Sequence, residues 1–155
     1  VEYALANQLD ISFIEEMPLG SITSHRRELT LCTSDEVRAI IERRWPLTPS
    51  LARSGGPSRY YQIGDEPSRI GFISPHSNNF CGDCNRVRVT AEGKLVLCLG
   101  HEGALDLREL LRSHPGDRER LSAALVAALN LKPERHHFDA QEQVQVLRFM
   151  SMTGG

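Results

Sequence analysis

Apolar and polar positions alternate over "LDISFIEEM" (Leu9 to Met17), and its β-branched and aromatic residues predict a strand that Pro18 and Gly20 end. From Thr33 the period changes. In "TSDEVRAIIERRW", Val37, Ile40 and Ile41 form an apolar stripe at helical spacing. Thr33 and Glu36 have capping-box spacing, Ser34 and Asp35 being alternative caps, and Pro46 stops the helix. Pro46 to Pro57 is rich in Pro, Ser and Gly and reads as a loop. "SRYYQIG" and "SRIGFIS" read as two strands about the turn "GDEP", with Tyr60 and Tyr61 packing on one face. Pro75 to Asp83 is polar and loop-like. "NRVRVTAEGKLVLCL" (Asn85 to Leu99) is two alternating runs about "AEG", a hairpin. "LDLRELLRS" predicts a short helix capped by Asp106. "DRERLSAALVAALNL" predicts a longer one with Leu121, Leu125 and Leu129 at i, i+4 and i+8. Lys132 to Gln143 is polar and holds His136 and His137, which read as loop residues.

Composition narrows the class. The chain has 155 residues, 40% hydrophobic and 25% charged, enough for a globular core. The longest apolar stretch, "AALVAAL" (Ala123 to Leu129), falls far short of the roughly 18 residues of a membrane span, and "VEYALANQLD" has no signal-peptide pattern. The first residue is not Met, so the chain reads as a processed or cut segment. A formal net charge of −2 argues against a general binder of DNA, RNA or membrane surfaces. Four cysteines without a secretion signal point to a reducing compartment and to metal or redox chemistry.

Three of those cysteines, Cys81, Cys84 and Cys98, are spaced C-x2-C-x13-C, and the hairpin returns the third beside the first two. Two centres suit the pattern. His101 completes a Cys3His zinc site, a structural interaction domain; alternatively the three thiolates hold an iron–sulfur cluster with one iron left open. Arg86, Arg88 and Thr90 alternate with Val87 and Val89. On a strand the first three share one face, the arginines roughly 7 Å apart. Two guanidiniums beside a metal make a phosphate or carboxylate clamp, whereas an arbitrary R-x-R is more often a solvated strand face. Glu15 and Glu16 point to opposite strand faces and do not form a paired-carboxylate site. Cys32 stands alone and reads as a small buried thiol.

"FISPHSNNFCGDCNRVRVTAEGKLVLCLG" (Phe72 to Gly100), "FIEEMPLG" (Phe13 to Gly20) and "FMSMTGG" (Phe149 to Gly155) resemble, in order, three blocks of the molybdenum-cofactor biosynthesis A family, the GTP 3',8-cyclases. These are radical S-adenosylmethionine enzymes about twice as long. Their N-terminal half carries a C-x3-C-x2-C motif for a first 4Fe–4S cluster. The resemblance implies a second 4Fe–4S cluster on Cys81, Cys84 and Cys98, GTP contacts at Arg86, Val87 and Arg88, and an S-adenosylmethionine contact at Met17. It implies that Gly154 and Gly155 form a tail that enters the active site. It also implies an α+β chain taken from an incomplete TIM-like (β/α)6 barrel enzyme. Residues 1–20 would be the last barrel strand and its approach, and residues 21–155 the cluster-bearing C-terminal domain. The implied partners are GTP, the N-terminal radical half and a second copy in a homodimer, in the cytoplasm. Two departures stand out: no C-x3-C-x2-C motif occurs here, and Ser12 precedes "FIE" where many members have arginine. The chain is therefore expected to be the C-terminal half, inactive alone and dimeric or unstable without its N-terminal half.

Overall fold

A computed structural model describes residues 1–20, 26–136 and 150–153. The fold is α+β, with a mixed and an antiparallel sheet, and falls into two compact units: Val1–Met17 with Arg27–Phe80, and Pro18–Arg26 with Cys81–Gly155. No described helix is long and apolar enough to cross a membrane.

The first unit holds α1 (Glu2–Ala6), β1 (Ile11–Ile14), α2 (Arg27–Thr30), α3 (Ser34–Glu42), β2 (Thr48–Pro49), β3 (Arg59–Gln62) and β4 (Arg69–Ile73). Its sheet runs β1-β4-β3-β2, with β1 and β4 parallel and the other pairs antiparallel. Ile41, Ile63, Ile70 and Phe72 form the core, and Val37, Trp45 and Tyr61 pack against it. The parallel register sets Phe13 beside Phe72, where their rings stack at 5.9 Å. The expected capping box is present: Thr33 accepts from the Glu36 N–H, and Glu36 accepts from the Thr33 N–H.

Four expectations need correction. Ile40 is 58% exposed, because the i, i+4 pair Val37 and Ile41 alone faces the sheet. Tyr60 and Tyr61 do not share a face, since successive strand residues alternate. Tyr61 meets Phe72 edge-on at 5.5 Å, whereas Tyr60 lies under Arg69 and donates to Ser54 Oγ. The Pro46–Pro57 loop contains β2, an edge strand, the position where a proline costs no ladder bond. Cys32 is exposed, its thiol turned to the Thr33 carbonyl rather than into the core. Ser12 bonds Ser58 Oγ at 3.0 Å above Gly71, where any Cβ would collide with both hydroxyls.

The second unit holds β5 (Arg88–Val89), β6 (Lys94–Val96), β7 (Ala104–Asp106), α4 (Leu107–Ser113) and α5 (Arg118–Asn130). The hairpin β5–β6 is as expected, and β6 pairs onward to β7. β7 takes Leu105, which the sequence pattern placed with the helix; Asp106 ends the strand and, as expected, caps α4 by accepting from the Glu109 N–H at 2.8 Å. Leu95, Leu97 and Ala128 are the core, joined by Leu105, Leu107 and Leu125. Leu129 is 47% exposed, so the buried seam of α5 runs through Leu125 and Ala128 instead of down the leucines.

Gly93 closes the hairpin at φ +80°, and a Cβ there would stand 2.9 Å from Arg108 Cβ. Its carbonyl accepts from the Leu107 and Arg108 N–H groups, tying the turn to α4. Gly93→Ala combines left-handed strain with a clash and is expected to cost about 2 kcal/mol. A lowered urea midpoint checks this.

Candidate metal centre

The second unit opens on a single 3-10 turn, Cys81–Asp83, in which the Cys84 N–H bonds the Cys81 carbonyl at 3.0 Å. That turn carries Cys81 and leads into Cys84. Cys98 lies two residues beyond the end of β6, after the buried Val96 and Leu97. In the hairpin, Arg88 is level with Val96, two residues before Cys98. All three cysteines are half-buried free thiols.

Their electrostatics show that they share surroundings. Burial pushes the Cys84 thiol up, but the Arg86 N–H, the Lys132 ammonium and the Arg86 guanidinium more than offset it, leaving the pKa below its ordinary value. Burial also pushes Cys98 up, and there it prevails over the Gly100 N–H and Lys132. The charges of Cys81 and Cys84 add to the upward push. Cys98 thus senses both other thiols, and Lys132 acts on Cys84 and Cys98 together. Geometry agrees: Lys132 Nζ lies 3.8 Å from Cys84 Sγ and donates to the Leu97 carbonyl at 3.1 Å. The His136 N–H points to Cys81 Sγ at 3.5 Å. The cationic surroundings of Cys84 favour its thiolate, the form that binds metal, whereas at Cys98 burial outweighs them.

As placed, no three described His, Cys, Asp or Glu side chains could hold one metal ion. Cys81, Cys84, Cys98 and His101 are therefore not set as a single-ion Cys3His site. His101 Nδ1 instead accepts from the Gly103 N–H at 3.2 Å.

The arginines depart in part from expectation. The strand covers only Arg88–Val89, so Arg86 lies before it and turns its guanidinium on Cys84. The alternation nevertheless holds in burial. Arg86 and Arg88 are half-buried and Thr90 buried, while Val87 and Val89 are 38% and 58% exposed. This polarity is the reverse of an ordinary half-buried strand: the arginines are the more buried residues and the valines the more exposed. Met17 is half-buried at the end of the first unit's opening segment. Gly154, Gly155 and His137 lie outside the described residues.

Sequence reasoning missed two residues. Lys132 is one, just beyond the α5 cap Leu131 and held there by its N–H bond to the Leu129 carbonyl. Glu15 is the other. In the first unit Glu15 is 3% exposed, and its carboxylate accepts from the N–H groups of Ser34 (2.8 Å), His76 (2.9 Å) and Ser77 (3.0 Å), and from the Ser77 hydroxyl. Glu15 serves as a latch. It pins the end of β1 to the first turn of α3 and to the loop after β4. The adjacent "EE" gave no sign of this, though a glutamate in an otherwise apolar strand end was a hint.

Comparison with known proteins bears on the whole chain. The family model described as "Molybdenum Cofactor Synthesis C" matches residues 9–138. The chain belongs to that family. Three similar relatives are each named GTP 3',8-cyclase. The one from Ectopseudomonas mendocina (strain ymp) is 70% identical over 155 residues, and that from Marinobacter nauticus (strain ATCC 700491 / DSM 11845 / VT8) is 58% identical over 155. That from Pseudomonas putida (strain W619) is 55% identical over 156. Each match covers 100% of this chain and 47% of the relative, so the chain spans about half the length of the curated relatives it matches.

Proposed function

We propose that this chain is the substrate-binding, cluster-carrying C-terminal half of a GTP 3',8-cyclase, a radical S-adenosylmethionine lyase of molybdenum cofactor synthesis acting in the cytoplasm. The observation that carries the reading is the grouping of Cys81, Cys84 and Cys98 with Arg86 and Lys132 in a chain of this family. The donor set fits a 4Fe–4S cluster: three thiols, with a cation and N–H donors near the sulfurs. A single zinc at about 2.3 Å from each sulfur needs thiols closely gathered, whereas a cluster takes each thiolate on a different iron.

When bound, the cluster supplies an iron with an open position for the guanine of GTP. This chain's residues do the rest. Arg86 and Arg88 bind and orient the triphosphate by charge-assisted hydrogen bonds, and Val87 between them completes the GTP contact. Holding the nucleotide still is most of the task, since the hard chemistry belongs to cofactors. Met17 contacts S-adenosylmethionine, and Gly154 and Gly155 bring a side-chain-free tail to the reacting centre. Residues 1–20 supply the last strand of an incomplete (β/α)6 barrel, and residues 21–155 form the C-terminal domain. The N-terminal half supplies C-x3-C-x2-C, and the complete protein pairs as a homodimer.

Metal analysis of this chain purified without oxygen tests the reading. The expected result is a brown protein with about four irons per chain. A colourless protein with one zinc per chain overturns it in favour of a zinc-binding interaction domain.

A further inference from the structure

From the contacts of α5's exit segment, we infer that Lys132 is a positioning residue for the cluster. It braces the two arms of the thiol site and sets the cluster's reduction potential. The inference rests on the reading of Cys81, Cys84 and Cys98 as cluster ligands.

The two arms are far apart in sequence. One is the Cys81–Asp83 turn with Cys84; the other is the end of β6, Leu97 and Cys98. Lys132 touches both, through Cys84 Sγ at 3.8 Å and the Leu97 carbonyl at 3.1 Å. Its place is fixed from behind. Ala128 packs with Leu95 and Leu97 in the core, and the chain completes the α5 turn through the Leu131 and Lys132 N–H groups. The side chain is half-buried, so its charge is incompletely screened. Four residues on, the His136 N–H reaches Cys81 Sγ at 3.5 Å. One short segment, Lys132 to His136, thus addresses both sulfurs of the C-x2-C pair.

A structural lysine needs no thiol. The carbonyl bond alone would anchor it, and an ammonium on a ligand sulfur has a distinct consequence. Reduction adds one negative charge to a cluster already surrounded by thiolates. A positive charge and N–H donors at the sulfurs favour the reduced form, so they raise the potential. Without Lys132 the cluster becomes harder to reduce, and the Cys84 and Cys98 arms lose their shared brace.

The experiment uses the full 155-residue chain, reconstituted with iron and sulfide without oxygen, so that the only cluster is the one on these cysteines. Lys132→Met keeps length and removes charge; Lys132→Arg keeps charge. Iron and sulfide content is measured first, then the reduced fraction by electron paramagnetic resonance at poised potentials. At the potential that leaves the wild-type cluster half reduced, the reduced fraction of Lys132→Met is expected to fall at least threefold, and Lys132→Arg to restore it. Loss of iron from Lys132→Met with retention by Lys132→Arg, both folded by circular dichroism, also supports the brace. A fully loaded Lys132→Met with an unshifted potential overturns the inference while leaving the cluster reading intact. Equal loss of iron from both variants overturns it too. Failure of the wild-type chain, folded by circular dichroism, to take up a cluster instead sinks the reading on which it rests.

Discussion

Glu15→Ala is expected to destabilise the first unit by about 3–5 kcal/mol, because one substitution leaves several inward-facing donors without an acceptor. The carboxylate takes the N–H groups of Ser34, His76 and Ser77 and the Ser77 hydroxyl. Ser34 opens α3, so the negative charge also sits at a helix N-terminus, where it is favourable. Burial pushes the Glu15 carboxyl up, but these hydrogen bonds from Ser34, Ser77 and His76 outweigh it and hold the pKa below its ordinary value. The sign for stability follows. The latch contributes in full above the ordinary carboxyl pKa of the unfolded chain, and its contribution is lost as pH falls through the lower folded value. Glu15→Gln keeps one acceptor oxygen but turns an NH2 toward donors, and should cost about 2 kcal/mol at neutral pH. Urea midpoints from neutral pH down through the carboxylate range check both statements. The gap between wild type and Glu15→Gln should close as acid protonates Glu15. A gap that stays constant through the acid limb would show that the loss is packing alone.

What was legible in the sequence is what depends on neighbours along the chain. Thr33 with Glu36, the β5–β6 hairpin about Gly93 and the Asp106 cap each involve residues a few positions apart, and each was found as expected. Glu15 was not legible because its partners stand 19, 61 and 62 positions away and are mostly backbone N–H groups, which leave no mark on residue type. Lys132 meets Cys84 and Leu97 at separations of 48 and 35 and follows a helix whose polar exit looks like any other. β2 escaped notice because a two-residue edge strand containing proline carries no periodicity. The arginines fall between these cases. Alternation around Arg88 could be read from sequence; that the arginines are more buried than the valines could not, since an R-x-R on a solvated face has the same pattern.

Arg88→Ala in the complete protein is expected to weaken GTP binding between tenfold and a hundredfold. A hydrogen bond to a charged group contributes about 1.5–3 kcal/mol, and each 1.4 kcal/mol is a factor of ten. Arg88 is well placed for this on a strand held by β6 and, through it, by β7, its Cα level with Val96, so the guanidinium is presented from a braced backbone. Truncation leaves that backbone alone, because the ladder bonds belong to the main chain. Loss of affinity without loss of stability is thus the signature of a phosphate contact. Arg88→Lys should fall between wild type and Arg88→Ala, keeping a charge but not the planar fork. Raising the salt concentration should narrow the difference, since screening weakens a partly exposed pair. Arg86→Ala should differ in kind: Arg86 also holds Cys84, so it should weaken GTP and disturb the cluster together. Isothermal titration with GTP, beside thermal melts, separates these outcomes. Unchanged affinity in Arg88→Ala would remove Arg88 from the GTP site and return R-x-R to an ordinary strand face.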